Sequence, residues 1–187
     1  SKHTNYNIVK ATPYGRDPLQ DLARACREQG LVFCVYYSVK DWHHPEYPIE
    51  LTWRDKQHPN GFQAFPNPKA RYSKYVDYMQ AQLRELMTNY GPVGILWFDW
   101  GPMPKKPSWL KKAGEIKKMI RRLQPGCLIN NRWGGLKGDY GTPEQHIPGG
   151  GQKQAFEGCM TLNDHWGYNL HDHNWKDAAT VIRNLAD

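Results

Sequence analysis

Asp99 closes the segment Val93-Gly94-Ile95-Leu96-Trp97-Phe98-Asp99, a run too apolar to hold a carboxylate anywhere but at its end. With Trp97 and Trp100 on either side, this acid reads as a nucleophile or general base, or else as a helix cap or a solvated loop acid. Glycoside cleavage by the retaining route needs a second carboxyl about 5–5.5 Å away, one acting as nucleophile and the other as acid/base. Two glutamates qualify: Glu144 in Gly141-Thr142-Pro143-Glu144-Gln145 and Glu157 in Phe156-Glu157-Gly158-Cys159. Either can fold over the strand end that carries Asp99, and either can be structural, as an exposed loop acid or as one partner of a base. Arg132, in Asn130-Asn131-Arg132-Trp133-Gly134, offers a planar fork of donors suited to a carboxylate or a sugar hydroxyl. His43-His44 invites a metal reading, but adjacent histidines point apart in extended chain and no HExxH set supplies further ligands. These two residues fit better as part of a pocket wall. Trp166-Gly167-Tyr168 is either core packing or a platform for a sugar.

The elements that position these residues alternate. Asp17-Pro18 is an N-cap followed by proline at the first helical position; Leu19, Leu22, Ala23 and Cys26 recur at helical spacing and Gly30 stops the helix. Leu31–Ser38 is a continuous apolar run, predicted to be a strand buried on both faces. The proline-rich stretch Val39–Pro68 is a long loop, and such loops inside compact domains are usually functional. A helix follows that buries Tyr72, Tyr75, Val76, Met79, Leu83, Leu86 and Tyr90, then the strand Val93–Phe98. Ser108 caps a helix burying Leu110, Ala113, Ile116, Ile120 and Leu123; Cys127–Asn130 is a short strand; Ala155–Leu162 holds another. Asn174 caps a last helix with Trp175, Ala178, Ala179, Ile182 and Leu185 inward. Alternation of this kind implies a parallel sheet with right-handed crossovers. Polar residues cluster just after the strands, the position that faces the active site of a (β/α)8 TIM-like barrel. A whole barrel takes about 250 residues, so the 187 residues here are expected to form one domain that is an incomplete barrel.

Composition narrows the classes. No apolar run approaches the roughly 18 residues of a membrane-spanning helix. No GxGxxG or GxxxxGK[ST] follows a strand, which argues against dinucleotide and P-loop sites. The net charge of +7 concentrates at Lys105, Lys106, Lys111, Lys112, Lys117, Lys118, Arg121 and Arg122. Most of these fall on the solvent side of one predicted helix, so no nucleic-acid partner is expected. The four cysteines form no CxxC pair; each sits in an apolar segment and reads as a small hydrophobe. Eight tryptophans and eleven tyrosines suit a carbohydrate site as well as a core.

Taken together, the motifs resemble a known family. Tyr36-Tyr37-Ser38 with Asp41-Trp42, Leu96-Trp97-Phe98-Asp99, Asn131-Arg132-Trp133-Gly134, Thr142-Pro143-Glu144 and Phe156-Glu157-Gly158-Cys159-Met160-Thr161 look like the α-L-fucosidases of glycoside hydrolase family 29, in family order. Ser1–Asn7 with Arg16-Asp17 is similar too. The resemblance implies a (β/α)8-like barrel, retaining hydrolysis of terminal α-L-fucosyl residues from fucosylated glycans, no metal or organic cofactor, no membrane partner, and a periplasmic, secreted or lysosomal setting. By the same resemblance Asp99 is the nucleophile, and Tyr36, Trp97 and Arg132 line the fucose pocket, with His43, His44 and Trp133 expected to border it. Glu144 is the preferred acid/base. Glu157 is the alternative, in a signature segment where Phe156 replaces the usual tryptophan. The family's own His-His pair belongs to an earlier strand and would precede Ser1; its closing strand and C-terminal β-sandwich would follow Asp187. The chain is therefore expected to be an internal piece of such an enzyme, with an inactive fragment or a non-catalytic sugar-binding domain as the alternative.

Overall fold

The structure is a computed structural model that describes residues 1–41, 43–47, 69–99, 107–133 and 135–186. Most of the predicted loop, Trp42, Trp100, Lys105, Lys106, Gly134, the Ser108 cap and the inward Leu185 lie outside the described residues or side chains. Helix α1 (Ile8–Ala11) is a single turn that the sequence reading passes over. Helix α2 (Pro18–Glu28) starts as its end chemistry dictates: the Asp17 carboxylate accepts the Leu19 N–H at 3.1 Å, and Gly30, at φ +67°, turns the chain away.

Three parallel strands follow in the order β1 (Val35–Ser38), β2 (Ile95–Asp99), β3 (Leu128–Ile129). β1 and β2 pair with Tyr36 opposite Trp97, Tyr37 opposite Phe98 and Ser38 opposite Asp99. Because side chains alternate along a strand, this register sorts them into two sets. Leu96 and Phe98 turn to one face, where Tyr75, Val76, Met79, Leu83 and Met87 of helix α3 (Tyr72–Asn89) and Ala113, Ile116, Met119 and Ile120 of helix α4 (Pro107–Leu123) bury them. Each buried Val, Leu, Ile, Phe or Met among them contributes about 1.5–3 kcal/mol relative to exposure. Tyr36, Trp97 and Asp99 turn to the other face. That face is open, so Tyr36 is 58% exposed and β1 is not buried on both sides as expected. Leu31 and Val32 precede the ladder and are exposed, which shortens the strand from the predicted Leu31–Ser38.

Past β3 the parallel pairing continues only as single bridges, Asn130 with Tyr140, Gly141 with Phe156 and Glu144 with Cys159. Gly138 makes the first of these possible. A Cβ there would stand 2.5 Å from the backbone of Asn130 and Asn131, so only glycine allows the two segments to lie so close. The predicted strand at Ala155–Leu162 is thus reduced to two bridged residues. The last helix, α5 (Ala178–Ala186), begins later than expected: Asp177, not Asn174, accepts from the Thr180 N–H. Trp175 and Ile182 are exposed rather than inward, since no described element covers that side. Leu110 is also partly exposed.

The basic cluster does not form one free face. Lys112 pairs with Asp77 at 3.4 Å, Arg121 binds Asp139 and the Cys127 carbonyl, and Lys117 donates to the Lys137 carbonyl. All four cysteines are free thiols, with Cys34 exposed. No helix among the described residues is long and apolar enough to cross a membrane.

Candidate active site

Asp99 is carried to the carboxyl end of β2, on the open face of the sheet. The Tyr36 hydroxyl donates to its Oδ2 at 2.5 Å, and Arg132 Nη1 lies 3.1 Å from its Oδ1. Both carboxylate oxygens are therefore engaged, and the carboxyl plane is fixed. Burial, then the hydrogen bond to Asp99, pushes the Tyr36 phenol well above its ordinary range, so it remains a donor.

Arg132 organises the second acid as well. Its Nη2 lies 2.8 Å from Glu144 Oε2, and its Nε donates to Thr142 Oγ1 at 2.9 Å. Thr142 is itself held by Asn131, whose Oδ1 accepts from the Thr142 N–H and hydroxyl. Burial works against the Arg132 charge, but Glu144 and Asp99 outweigh it and raise its pKa. One guanidinium thus spans two carboxylates, which places their facing oxygens within about 8 Å of one another.

Trp97 brings in the third acid. Its indole N–H donates to Glu157 Oε2 at 3.0 Å, its ring stacks on Tyr36 with centroids 5.5 Å apart, and the Arg132 guanidinium lies 4.8 Å above it. Tyr140 stands beside Glu157; burial and that charge push its phenol up. Tyr36, Trp97, Asp99, Arg132, Glu144 and Glu157 therefore form one connected cluster. Of these, Glu144 is the most open to solvent among the Arg132 partners.

Three expected pocket residues are placed elsewhere. Trp133 is buried on the helix side of the sheet, stacked on Phe98 at 4.2 Å with its N–H donated to the Ala113 carbonyl. It lies across the sheet from Asp99 because Asp99 and Phe98 are neighbours in a strand and point to opposite faces. His44 packs against Tyr75 and Tyr78 of α3, and burial lowers its pKa against the opposing pull of Asp41 and Glu46. His43 stacks on Tyr6 at 3.9 Å. No described contact joins either histidine to the carboxylate cluster.

Asn130, one of the polar residues after a strand that were expected to face the site, is instead fully buried against the backbone. Its buried amide accepts from the Phe98 N–H at 3.0 Å and donates to the Phe98 carbonyl at 2.9 Å, standing in for a strand neighbour beside Asp99. A polar residue ending an apolar strand was the available signal. Among the described residues no group of three or more His, Cys, Asp or Glu is arranged to hold a metal ion.

Comparison with known proteins bears on the whole chain. The family model "Alpha-L-fucosidase" matches residues 1–187. An alpha-L-fucosidase of Branchiostoma floridae is 32% identical over 88% of this chain and 35% of its own length; one of Dictyostelium discoideum is 24% identical over 97% of this chain and 38% of its own. The chain spans little more than a third of these curated relatives. Among solved structures, alpha-L-fucosidase isoenzyme 1 from Paenibacillus thiaminolyticus is 38% identical, with a TM-score of 0.75 over 99% of this chain and 47% of that one. AlfC from Lactobacillus casei, in complex with its alpha-L-fucose product, is 32% identical with a TM-score of 0.69, over 98% of this chain and 57% of that one. With its motifs in order and its three acids gathered at one end of a parallel sheet, the chain belongs to the alpha-L-fucosidase family.

Proposed function

We propose that the protein hydrolyses terminal α-L-fucosyl residues of fucosylated saccharides with retention of anomeric configuration, and that its sheet is part of a (β/α)8 barrel. The supporting observation is Asp99, held on both oxygens by Tyr36 and Arg132 at a strand's carboxyl end, with Glu144 on the same guanidinium. Asp99 attacks the anomeric carbon while Glu144 gives a proton to the leaving oxygen. The C1–oxygen bond breaks, and a fucosyl ester forms on Asp99. Glu144 then takes a proton from water, whose oxygen displaces Asp99 and frees fucose. Glu144 is tied to Arg132. A sugar entering between the two acids competes for the guanidinium through its hydroxyls and releases Glu144 for the glycosidic oxygen. Trp97 and Tyr36 supply a flat wall for the apolar edge of fucose. The separation of about 5–5.5 Å that retention requires lies within the bound set by Arg132.

The test is azide rescue in the full-length protein with an activated aryl fucoside. Asp99→Ala is expected to lose hydrolysis, and azide to give the fucosyl azide of opposite anomeric configuration. Glu144→Ala is expected to accumulate the fucosyl-enzyme and yield the azide of retained configuration. Ordinary turnover by Asp99→Ala removes the mechanism; rescue with retention by Glu157→Ala in place of Glu144→Ala moves the acid/base role to Glu157.

A further inference from the structure

Glu157 is the one acid of the cluster that the chemistry above does not use. Its attachment differs in kind from that of Glu144. Glu144 shares the Arg132 guanidinium with Asp99, whereas Glu157 Oε2 accepts the Trp97 indole N–H at 3.0 Å. An indole has a single polar atom, and it only donates. This bond is therefore the polar handle by which the Trp97 ring can be held.

Trp97 stands at the centre of the supports of Asp99. Its ring stacks on Tyr36 at an interplanar angle of 16°, and the Arg132 guanidinium lies 4.8 Å from its centre. Tyr36 and Arg132 are the residues that bind the two Asp99 oxygens. Stacking and cation–π attraction both depend on the plane of the ring. The torsion that turns that plane is broad and soft in a tryptophan, so a ring without its handle can swing out of both contacts.

The backbone puts Glu157 where it can act on this ring. The Glu157 N–H donates to the Gly141 carbonyl and the Cys159 N–H to the Pro143 carbonyl, each at 2.9 Å. Between Gly141 and Pro143 stands Thr142, which accepts from Arg132 Nε. The segment bearing Glu157 thus runs beside the one that clasps Arg132. Tyr140 is buried with its hydroxyl unpartnered and faces the Glu157 carboxylate, a spare donor beside it.

We propose that Glu157 is a positioning residue: acting through the Trp97 indole, it sets the ring plane against which Tyr36 and Arg132 rest, and so orients Asp99. The role needs an acceptor oxygen at the right reach, and neither a charge nor a proton. The inference rests on the fucosidase reading with Glu144 as acid/base.

The experiment separates reach from charge and from proton transfer, in the full-length protein with an activated aryl fucoside. Glu157→Asp keeps the carboxylate but is one methylene short of the indole; Glu157→Gln keeps the reach and a carbonyl acceptor but cannot ionise. Glu157→Asp is expected to lower kcat/KM about thirtyfold, as loss of a charge-assisted hydrogen bond would. Glu157→Gln is expected to recover activity to within about fivefold of wild type, as a neutral bond of the same geometry would allow. Azide should change neither. A glutamine variant as impaired as the aspartate one, or revived by azide, overturns the proposal, since charge or proton transfer is then what Glu157 supplies. Both variants within about twofold of wild type overturn it as well, by leaving Glu157 without a role. The route through the ring is read in Trp97→Phe, which lacks the N–H. In that background Glu157→Asp should cost nothing further, and a second, additive loss overturns the route. Wild-type protein that cleaves no aryl fucoside refutes the fucosidase reading instead. The tie between Glu157 and Trp97 is then judged by urea unfolding: Glu157→Asp should lower the midpoint in the wild-type background and leave it unchanged in the Trp97→Phe background, and equal shifts in both refute the tie.

Discussion

Tyr36 and Trp97 are partners across the β1–β2 ladder, and their stacked rings aim the tyrosine hydroxyl at the acid two residues beyond the tryptophan. The sheet register thus sets one oxygen of Asp99, and Arg132, past the end of β3, holds the other. Removing the hydroxyl alone in Tyr36→Phe keeps the stack and deletes one charge-assisted hydrogen bond, worth about 1.5–3 kcal/mol. The expected result is a kcat/KM for an aryl fucoside lower by roughly ten- to a hundredfold, with unfolding stability lowered by no more than the worth of that one bond. Activity within twofold of wild type would show that the bond does not serve the reaction.

Asn130 replaces a missing strand beside Phe98 through two hydrogen bonds of its side chain. Asn130→Ala leaves the buried N–H and carbonyl of Phe98 without those partners, at about 1–3 kcal/mol for each unsatisfied group. Urea unfolding is expected to show a loss of about 2–4 kcal/mol. A loss below about 1 kcal/mol would mean that water or a shifted backbone takes over the role.

Gly138 lies against the backbone of Asn130 and Asn131. A methyl group there forces the two segments apart, since neither obstacle is a side chain that can swing away. Gly138→Ala should cost about 1–3 kcal/mol and weaken the Thr142–Arg132 contact on the next residues of the segment. The check is a lower melting temperature together with reduced activity. Unchanged values in both measurements would contradict the close approach.

His44 supplies a pH dependence. Its folded pKa is lowered, mainly by burial among Tyr75 and Tyr78, so the unfolded chain takes up the proton first. Its contribution to stability is complete above the unfolded value of about 6.5 and is lost as pH falls through the lowered folded pKa. His44→Gln should flatten the decline of stability on acidification below about pH 6.5. An identical slope in wild type and variant would assign that decline to other groups.

What the residues themselves disclose is mostly local. Asp17-Pro18 and Gly30 bound a helix because capping and backbone chirality act within one turn, and the structure follows them. Asp99 stands out because the five residues before it are so apolar. Arg132 is readable as a two-pronged donor, but whether it faces a sugar or an acid depends on Asp99 and Glu144, 33 and 12 positions away. Trp133 is misplaced by any reading of its motif alone, since facing is set by Phe98, on another strand. Asn174 and Asp177 are both competent caps, and only the chain path selects the second. The length of β1 depends on where β2 begins, a long-range fact that hydropathy does not encode.

The sheet changes character along its width: a true ladder joins β1 to β2, whereas lone bridges tether the segments bearing Glu144 and Glu157. Backbone secured by so few bonds opens at lower free energy than a continuous ladder. The half carrying Asp99 is therefore the stiffer of the two, and the segments carrying the glutamates are expected to exchange their amide protons first.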